Sequence, residues 1–268
     1  MTFRADLHCH STCSDGTNTP EELVDIALQN GLQALSITDH DTIAAYRSVL
    51  AYAQQKGLLM GTGVELSCFH EGISVHVLGY GFPPEEKTLL EFCAKQENRR
   101  KDRNRAMLLK LERFSMPIRE EELPVSRTVG RPHIAELMVK KGYVATMQEA
   151  FQRYLGEGKC CYEKGAIFTL EETLSVLHQA KAKAFLAHPH LFHKSTFVKK
   201  VLEMPFDGLE CYYARCPPEE ERRFLRIAQD RGLLVSGGSD FHGAFKPNLF
   251  LGSRFVDEPT FRAIFQGN

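Results

Sequence analysis

The chain has 268 residues, 43% of them hydrophobic, and its 33 Lys and Arg residues nearly balance 34 Asp and Glu residues for a formal net charge of -1. That is enough apolar material for one full-sized core with an insertion, and the charge balance excludes a global field drawing the whole molecule to nucleic acid or membrane, so any anion preference must be local. No apolar run approaches the ~20 residues that span a bilayer and the polar N-terminus has no signal-peptide pattern, while eight cysteines without a Cys-x-x-Cys pair fit reduced thiols; a cytoplasmic location and no obligate protein partner are expected.

Phe3 to Cys9 reads as a strand whose end carries His8-Cys9-His10. The side-chain period of a strand is two, so both imidazoles project to one side, where they can close on one metal ion, and Cys9 points away into the core. Thr19-Pro20-Glu21-Glu22 is a helix start with Thr19 as N-cap, Pro20 at N1 and Glu22 at N3, and the helix stops at Gly31. Leu32 to Thr38 is a second strand, followed by Thr38-Asp39-His40-Asp41. Thr42 to Lys56 is a second helix, closed by Gly57. Leu58 to Leu66 is a third strand with Glu65 near its end, and Ile73 to Tyr80 a fourth with His76 inside it. After an interruption the alternation resumes: helix Leu170 to Ala180, strand Ala182 to Ala187 before His188-Pro189-His190, strand Phe206 to Cys211 carrying Glu210, helix Glu219 to Arg231, and strand Leu233 to Gly237 before Ser239-Asp240.

Such alternation argues for a parallel sheet covered by helices. About seven short strands with ligand-type residues near their carboxyl ends describe a (β/α) barrel better than an open sheet, because barrel enzymes place their chemistry on that rim. An open doubly wound fold is the alternative, without a Gly-x-Gly-x-x-Gly turn to support it. The expected organisation is barrel residues 1–92 and 169–268 around a mostly helical insertion, 93–168, acting as a lid. Inside the insertion, Glu97 to Arg105 leads into an amphipathic helix through Met107, Leu108, Leu111 and Phe114. Its basic side, Arg99, Arg100, Lys101, Arg103 and Arg105, reads either as a solvated face or as a rim that draws in a polyanion. Val129 to Ala135 looks like a further helix start, and Met147 to Leu155 is helical.

Metal-binding residue types thus recur at the ends of separate apolar segments. With Asp6-Leu7-His8-Cys9-His10, Ser14-Asp15-Gly16, Thr38-Asp39-His40-Asp41, Gly63-Val64-Glu65, Ala187-His188-Pro189 and Ser239-Asp240-Phe241-His242 in this order, the chain resembles the PHP (polymerase and histidinol phosphatase) family. Gly130-Arg131-Pro132-His133 and Tyr154-Leu155-Gly156-Glu157-Gly158-Lys159 are similar to the stand-alone phosphoesterase branch, which includes 3',5'-nucleotide bisphosphate phosphatases and 5'-to-3' exoribonucleases of the ribonuclease AM type. The resemblance implies a distorted, TIM-like (β/α)7 barrel and three divalent metal ions, with manganese favoured and zinc or iron as alternatives. It implies that His8, His10, Glu65 and Asp240 hold one ion, that Glu65 bridges to a second held by His76 and His188, and that Asp15, His40 and His242 hold the third. Taken alone, His76 reads as a structural histidine. In the set it completes the second ion's ligands.

Six neutral imidazoles and three carboxylates around three divalent ions leave a surplus of about three positive charges, which an anionic ester would neutralise. Bound divalent ions polarise a phosphate and lower the pKa of water, so no covalent nucleophile is needed. The expected activity is hydrolysis of nucleotide phosphate esters, either a 3',5'-nucleotide bisphosphate or a 5'-phosphorylated short RNA end. Histidinol-phosphate hydrolysis is a second reading, and a non-catalytic metal-binding module a third. Asp240, His242, Glu65 and His190 are the candidates for the chemical step. Asp39 and Asp41 could orient imidazoles, or Asp41 with Thr42 could cap the second helix. Relatives often follow the His-Pro pair with Gly-Arg-Tyr, whereas here it reads His190-Leu191-Phe192, so His190, His193 or Lys194 would replace the arginine's phosphate contact. Arg131, expected at a helix N-terminus, is the leading phosphate ligand, with Lys159 and Lys164 behind it. Tyr212 and Tyr213 could stack a base or serve the core. Cys160-Cys161 has no assigned role.

Overall fold

The computed structural model describes residues 2–124, 128–192 and 194–266. The chain divides into two compact units, one formed by Met1–Cys93 with Phe168–Asn268 and the other by Ala94–Ile167. In chain order the first unit opens with β1 (Ala5–Asp6), α1 (Pro20–Gln29), β2 (Ala34–Leu35), α2 (Val49–Lys56), β3 (Leu59–Met60), β4 (Gly63–His70) and β5 (Ile73–Tyr80). Helix α3 (Lys87–Arg113) carries the chain into the second unit, which adds α4 (Arg131–Lys140) and α5 (Met147–Ala150). The first unit then resumes with α6 (Leu170–Gln179), β6 (Lys183–Leu186), α7 (Ser195–Val201), β7 (Gly208–Tyr213), α8 (Pro218–Arg231), β8 (Leu234–Gly238) and α9 (Glu258–Phe265). Among the described residues no helix is long and apolar enough to cross a membrane.

Local chemistry sets several of these boundaries. At α1 the Thr19 hydroxyl accepts from Glu22 N at 3.2 Å while the Glu22 carboxylate accepts from Thr19 N at 2.8 Å, a reciprocal cap that satisfies two otherwise unpaired donors. Gly57 and Gly232 close α2 and α8 at φ 77° and 65°, the left-handed conformation that a side chain would strain.

The first unit is a mixed α/β structure. Strands β1, β2 and β3 pair in parallel, and a second sheet runs β4-β5-β6-β7-β8. The expected all-parallel sheet is corrected in that second sheet: β5 is antiparallel to both β4 and β6. The reason lies in Glu71-Gly72, which have φ of 48° and 82° and turn the chain directly back, so β4 and β5 form a hairpin and need no crossover helix. The expected single strand Leu58 to Leu66 is also two strands in two sheets. The Tyr46 hydroxyl occupies the break, 2.7 Å from Ile37 O and Gly63 N and 3.0 Å from Gly61 O, replacing ladder bonds that a continuous strand would make. The helix expected from Thr42 begins instead as a tight turn, Ala44–Arg47, and only Val49–Lys56 is α-helical.

Isolated bridges join the two sheets along two seams, one from the end of β1 and one from the end of β2, the middle strand of its sheet. On one, Cys9 bridges Phe241, with Asp240 N donating to His8 O at 2.7 Å and His10 N to Phe241 O at 2.9 Å. On the other, His40 bridges Glu65, with Asp41 N donating to Glu65 O at 2.9 Å. Leu35, Ile37, Val64, Leu66, Leu186 and Leu209 pack in the shared core.

The second unit has its own core of Met107, Leu111, Ile134, Met138, Leu155 and Cys161. Arg99, Arg100 and Arg103 are buried, which corrects the solvated-face reading for these three, whereas Lys101 and Arg105 are exposed and paired with Glu97 and Glu120.

Gly238, at the end of β8, tests how tightly the first seam is closed. A Cβ there would lie 2.3 Å from His8 N and 2.6 Å from Asp6 Oδ1. Gly238→Ala should cost about 1–3 kcal/mol by overpacking, read as a lower urea midpoint; an unchanged midpoint would show that the seam yields freely.

Candidate metal centre

Glu65 lies inside β4, 1% exposed, and its two carboxylate oxygens face five imidazoles. Oε2 is 3.3 Å from His8 Nε2, 3.2 Å from His10 Nε2 and 3.2 Å from His40 Nδ1, and Oε1 is 2.8 Å from His76 Nδ1 and 2.9 Å from His188 Nε2. They come from four places: His8 and His10 follow β1, His40 follows β2, His76 is within β5 and His188 follows β6. Asp240 and His242 follow β8. Asp240 Oδ1 is 3.5 Å from His8 Nε2 and 3.3 Å from His10 Nε2, while Asp15 Oδ1 is 3.4 Å from His242 Nε2.

Among the described residues, three sets have ligand atoms close enough to share an ion, within 4.8 Å of one another in each set: His8, His10, Glu65 and Asp240; His10, Asp15, His40 and His242; and His40, Glu65 and His76. His188 is outside these sets but reaches Glu65 directly. The nine residues expected as ligands therefore converge, and His10, His40 and Glu65 each belong to two sets.

The donor set fits divalent ions on a direct structural observation. Both ring nitrogens of His10, Nδ1 of His40 and of His188, and Oδ1 of Asp15 are buried without a hydrogen bond. An unsatisfied buried polar atom costs about 1–3 kcal/mol, and these ones cluster where a cation would satisfy them. Electrostatics point the same way. Burial would raise the Glu65 carboxyl, but His40, His76 and His8 hold it well below the usual carboxylate range. Burial likewise opposes ionisation of Asp240, which Lys246, His242 and His8 overcome, and of Asp15, which His40 and His242 overcome.

Three residues of the region adopt left-handed backbone: Asp41 (φ 56°), His188 (φ 30°) and Asp240 (φ 54°). Such strain persists only where the surroundings over-determine it. Asp41 accepts from Ser67 N at 2.7 Å, which ties the β2 end to β4, and the Thr42 hydroxyl accepts from Ala44 N at 3.2 Å at the start of the turn before α2. Asp39 accepts from Ser11 N, Ser11 Oγ and Ser14 Oγ at 2.8, 2.6 and 2.5 Å, which organises the loop delivering Asp15.

Sequence reasoning missed several supporting residues. Buried Glu210 is 2.7 Å from His8 Nδ1 and accepts from His188 N at 2.6 Å. Asp240 Oδ2 accepts from Tyr213 Oη at 2.6 Å and Lys246 Nζ at 2.5 Å. Asp6 accepts from His8 N, Ser239 N and Gly252 N, and burial pushes its carboxyl up to about 6. The base-stacking reading of Tyr213 is corrected, since its ring is buried and its hydroxyl engaged; Tyr212 packs with the core that includes Phe185 and Phe261. Only the residue types of Glu210 and Lys246 were visible in sequence, because their partners are remote or across a loop. Cys9 is buried, its thiol donating to Ser36 O at 3.4 Å.

The other expected contacts are less convergent. His190 packs against Tyr213 with ring centroids 4.5 Å apart and the planes tilted, is half-buried, and has its pKa lowered by burial. His193 lies outside the described residues. Lys194 is exposed ahead of α7. In the second unit Arg131 is the first residue of α4, its guanidinium 5.5 Å from the Tyr162 ring and 5.9 Å from the Phe151 ring. Lys159 is exposed and Lys164 half-buried. Cys160 and Cys161 are free thiols with sulfurs 3.9 Å apart.

A profile of the PHP domain matches residues 6–157. The chain belongs to the PHP family. Among curated relatives, it is 34% identical to the 5'-3' exoribonuclease Rnm of Salmonella typhimurium over 88% of this chain and 84% of that protein. It is 30% identical to the 3',5'-nucleoside bisphosphate phosphatase of Chromobacterium violaceum, over 88% and 86%. Among solved structures, a protein of Bifidobacterium adolescentis described as a metal-dependent phosphoesterase superposes with a TM-score of 0.87 at 31% identity, covering 97% of this chain and 94% of the other.

Two histidines of this PHP centre should titrate in opposite ways when it is stripped of metal. Burial drives the His40 pKa down to about 3, so its ring is neutral above that pH. Burial also opposes protonation of His10, but Asp240 and Glu65 outweigh it and raise the pKa to about 9, so that ring is cationic below that pH. Histidine 15N spectra of chelator-treated protein from pH 5 to 8 should show His40 neutral and His10 doubly protonated throughout. A midpoint near 6.5 for either contradicts this electrostatic picture.

Proposed function

We propose that this PHP protein is a divalent-metal-dependent phosphoesterase that hydrolyses nucleotide phosphate esters, acting on a 3',5'-nucleotide bisphosphate or on a 5'-phosphorylated short RNA end. The observation that carries the proposal is Glu65, a buried carboxylate facing five imidazoles beside two further carboxylates, with unsatisfied donor atoms at the centre. The named activities of the exoribonuclease and bisphosphate phosphatase relatives supply the substrate class. In this reading His8, His10, Glu65 and Asp240 hold one ion, Glu65, His76 and His188 a second, and Asp15, His40 and His242 a third, with manganese favoured over zinc or iron. The architecture is read as a distorted (β/α)7 barrel, supported by the bridges that join the two sheets at the ends of β1 and β2. A cytoplasmic location fits eight free cysteines.

Bound divalent ions would neutralise the phosphate and supply an attacking water of lowered pKa. The protein's own groups then have distinct tasks. Tyr213 and Lys246 occupy Asp240 Oδ2 and leave Oδ1 directed at His8, His10 and His242. The left-handed backbone of Asp240 places its carbonyl to accept from His242 Nδ1 at 2.9 Å, which leaves His242 Nε2 facing Asp15. Glu65 spans the sets and fixes their spacing. His190, neutral through its lowered pKa, is suited to hydrogen-bond substrate or accept a proton. Arg131 is assigned to substrate affinity, with Lys159 and Lys164 as weaker candidates.

The test is phosphate release or RNA shortening by manganese-loaded protein on adenosine 3',5'-bisphosphate, 5'-AMP, 3'-AMP, histidinol phosphate and a 5'-phosphorylated short RNA. Activity on the bisphosphate or the RNA is expected; release from histidinol phosphate alone would overturn the substrate reading. Asp240→Asn and His10→Ala should each abolish turnover with helix content retained by circular dichroism, and wild-type turnover in either would remove that residue from the centre. Arg131→Ala should raise KM more than it lowers kcat, the signature of lost uniform binding; an unchanged KM removes Arg131 from substrate recognition.

A further inference from the structure

Glu210 is outside the nine proposed ligands, yet it touches two of them. It lies in β7, 1% exposed, and both of its oxygens are used. Oε1 is 2.7 Å from His8 Nδ1, and Oε2 accepts the backbone N–H of His188 at 2.6 Å. These partners approach Glu65 on opposite oxygens, His8 Nε2 at 3.3 Å from Oε2 and His188 Nε2 at 2.9 Å from Oε1. They are therefore ligands of two adjoining ion sites in the reading above, on which this inference rests.

The chemistry of the contacts is restrictive. A neutral imidazole carries one proton, so a ring donating from Nδ1 keeps a lone pair on Nε2. Acceptance by Glu210 thus leaves the His8 lone pair directed at Glu65 and Asp240, where a cation would bind. His188 is held differently. It turns the chain in left-handed conformation at φ 30°, and its N–H is tied to the same carboxylate. We propose that Glu210 is a positioning residue that sets the tautomer of His8 and the backbone of His188 together, and so couples the first ion site to the second.

Glutamine provides a sharp test because it is nearly isosteric but offers one acceptor oxygen and one donor amide. The carboxylate accepts from two N–H groups, and Gln can satisfy only one. If its oxygen faces His188, its amide meets His8 Nδ1 and forces the proton to Nε2, removing the lone pair. If its oxygen faces His8, the amide opposes the His188 N–H. Either arrangement damages one of the two sites.

The experiment is manganese binding to the full chain, read as ions per chain by elemental analysis after equilibrium dialysis and as affinity by chelator competition. Glu210→Gln should bind about 10–100-fold more weakly than wild type, the usual consequence of losing a group that orients a metal-binding histidine. Glu210→Asp, which keeps two acceptors, should retain more affinity than Glu210→Gln. A side chain needed only for packing gives the reverse order, since Gln preserves volume and Asp does not. Wild-type affinity in Glu210→Gln, or that reversed order, would overturn the inference. Absence of bound manganese, zinc or iron in the wild type would instead overturn the metal reading itself. If Glu210→Gln does not fold, 15N spectra of zinc-loaded wild type decide. A proton on His8 Nδ1 supports the coupling, and an unprotonated Nδ1 overturns it.

Discussion

The burial of one carboxylate organises the first unit. Moving an ionised group out of water costs several kcal/mol even after relaxation unless opposite charge and hydrogen bonds compensate. Glu65 is placed in the middle of β4, where its neighbours in sequence are apolar, so compensation must come from other strands. It comes from the end of β1, the end of β2, the middle of β5 and the turn after β6. Those segments cannot shift independently without exposing the carboxylate to an incomplete set of partners. The same arrangement that stabilises the residue in a core puts it in two of the candidate ion sets, which is why stability and chemistry are hard to separate at this position.

Around that carboxylate, polar groups with no direct part in the ligand sets carry much of the geometry. Asp39 fixes the Ser11 to Asp15 loop, Asp41 clips the β2 end to Ser67, and Asp6 gathers three backbone donors, from the β1 end, the β8 end and Gly252 ahead of α9. Each uses a short side chain to satisfy backbone N–H groups at places where the strand ladder has ended. The left-handed residues Asp41, His188 and Asp240 sit at such places, so the strain at the chain reversals is balanced by buried hydrogen bonds close by. Rigid delivery of the ligands follows from this second layer as much as from the strands.

The candidate ligand residues were legible because each follows or interrupts an apolar run, and because nine polar residues of metal-binding type are unusual at those positions. Helix α1 was legible through its cap, where sequence and geometry are separated by only three residues. The split between β3 and β4 was not, because it is caused by a tyrosine hydroxyl from fifteen residues earlier acting on a glycine. Glu210 was hidden for the same reason at longer range, with its partner His8 202 residues away. Arg99, Arg100 and Arg103 misled in another way: a charge run implies solvent when read as composition, yet the fold buries these side chains. Periodicity reports which residues share a face of an element, and it does not report what that face meets.

The hairpin joining β4 to β5 has a bearing on how this molecule tolerates change. Glu65 and His76 are separated by eleven residues and face one another through a ladder whose register is set by the two residues Glu71 and Gly72. In a strand, a slip of one residue reverses every side chain. The loops after β1, β2, β6 and β8 can change length at their far ends without altering where a ligand leaves its strand, but this turn has no such slack. An extra residue there would swing His76 to the opposite face of β5 and leave Glu65 in place. This two-residue turn therefore works as a ruler between two candidate ligands, and insertions that other loops absorb would be read here as a change in the donor set around Glu65.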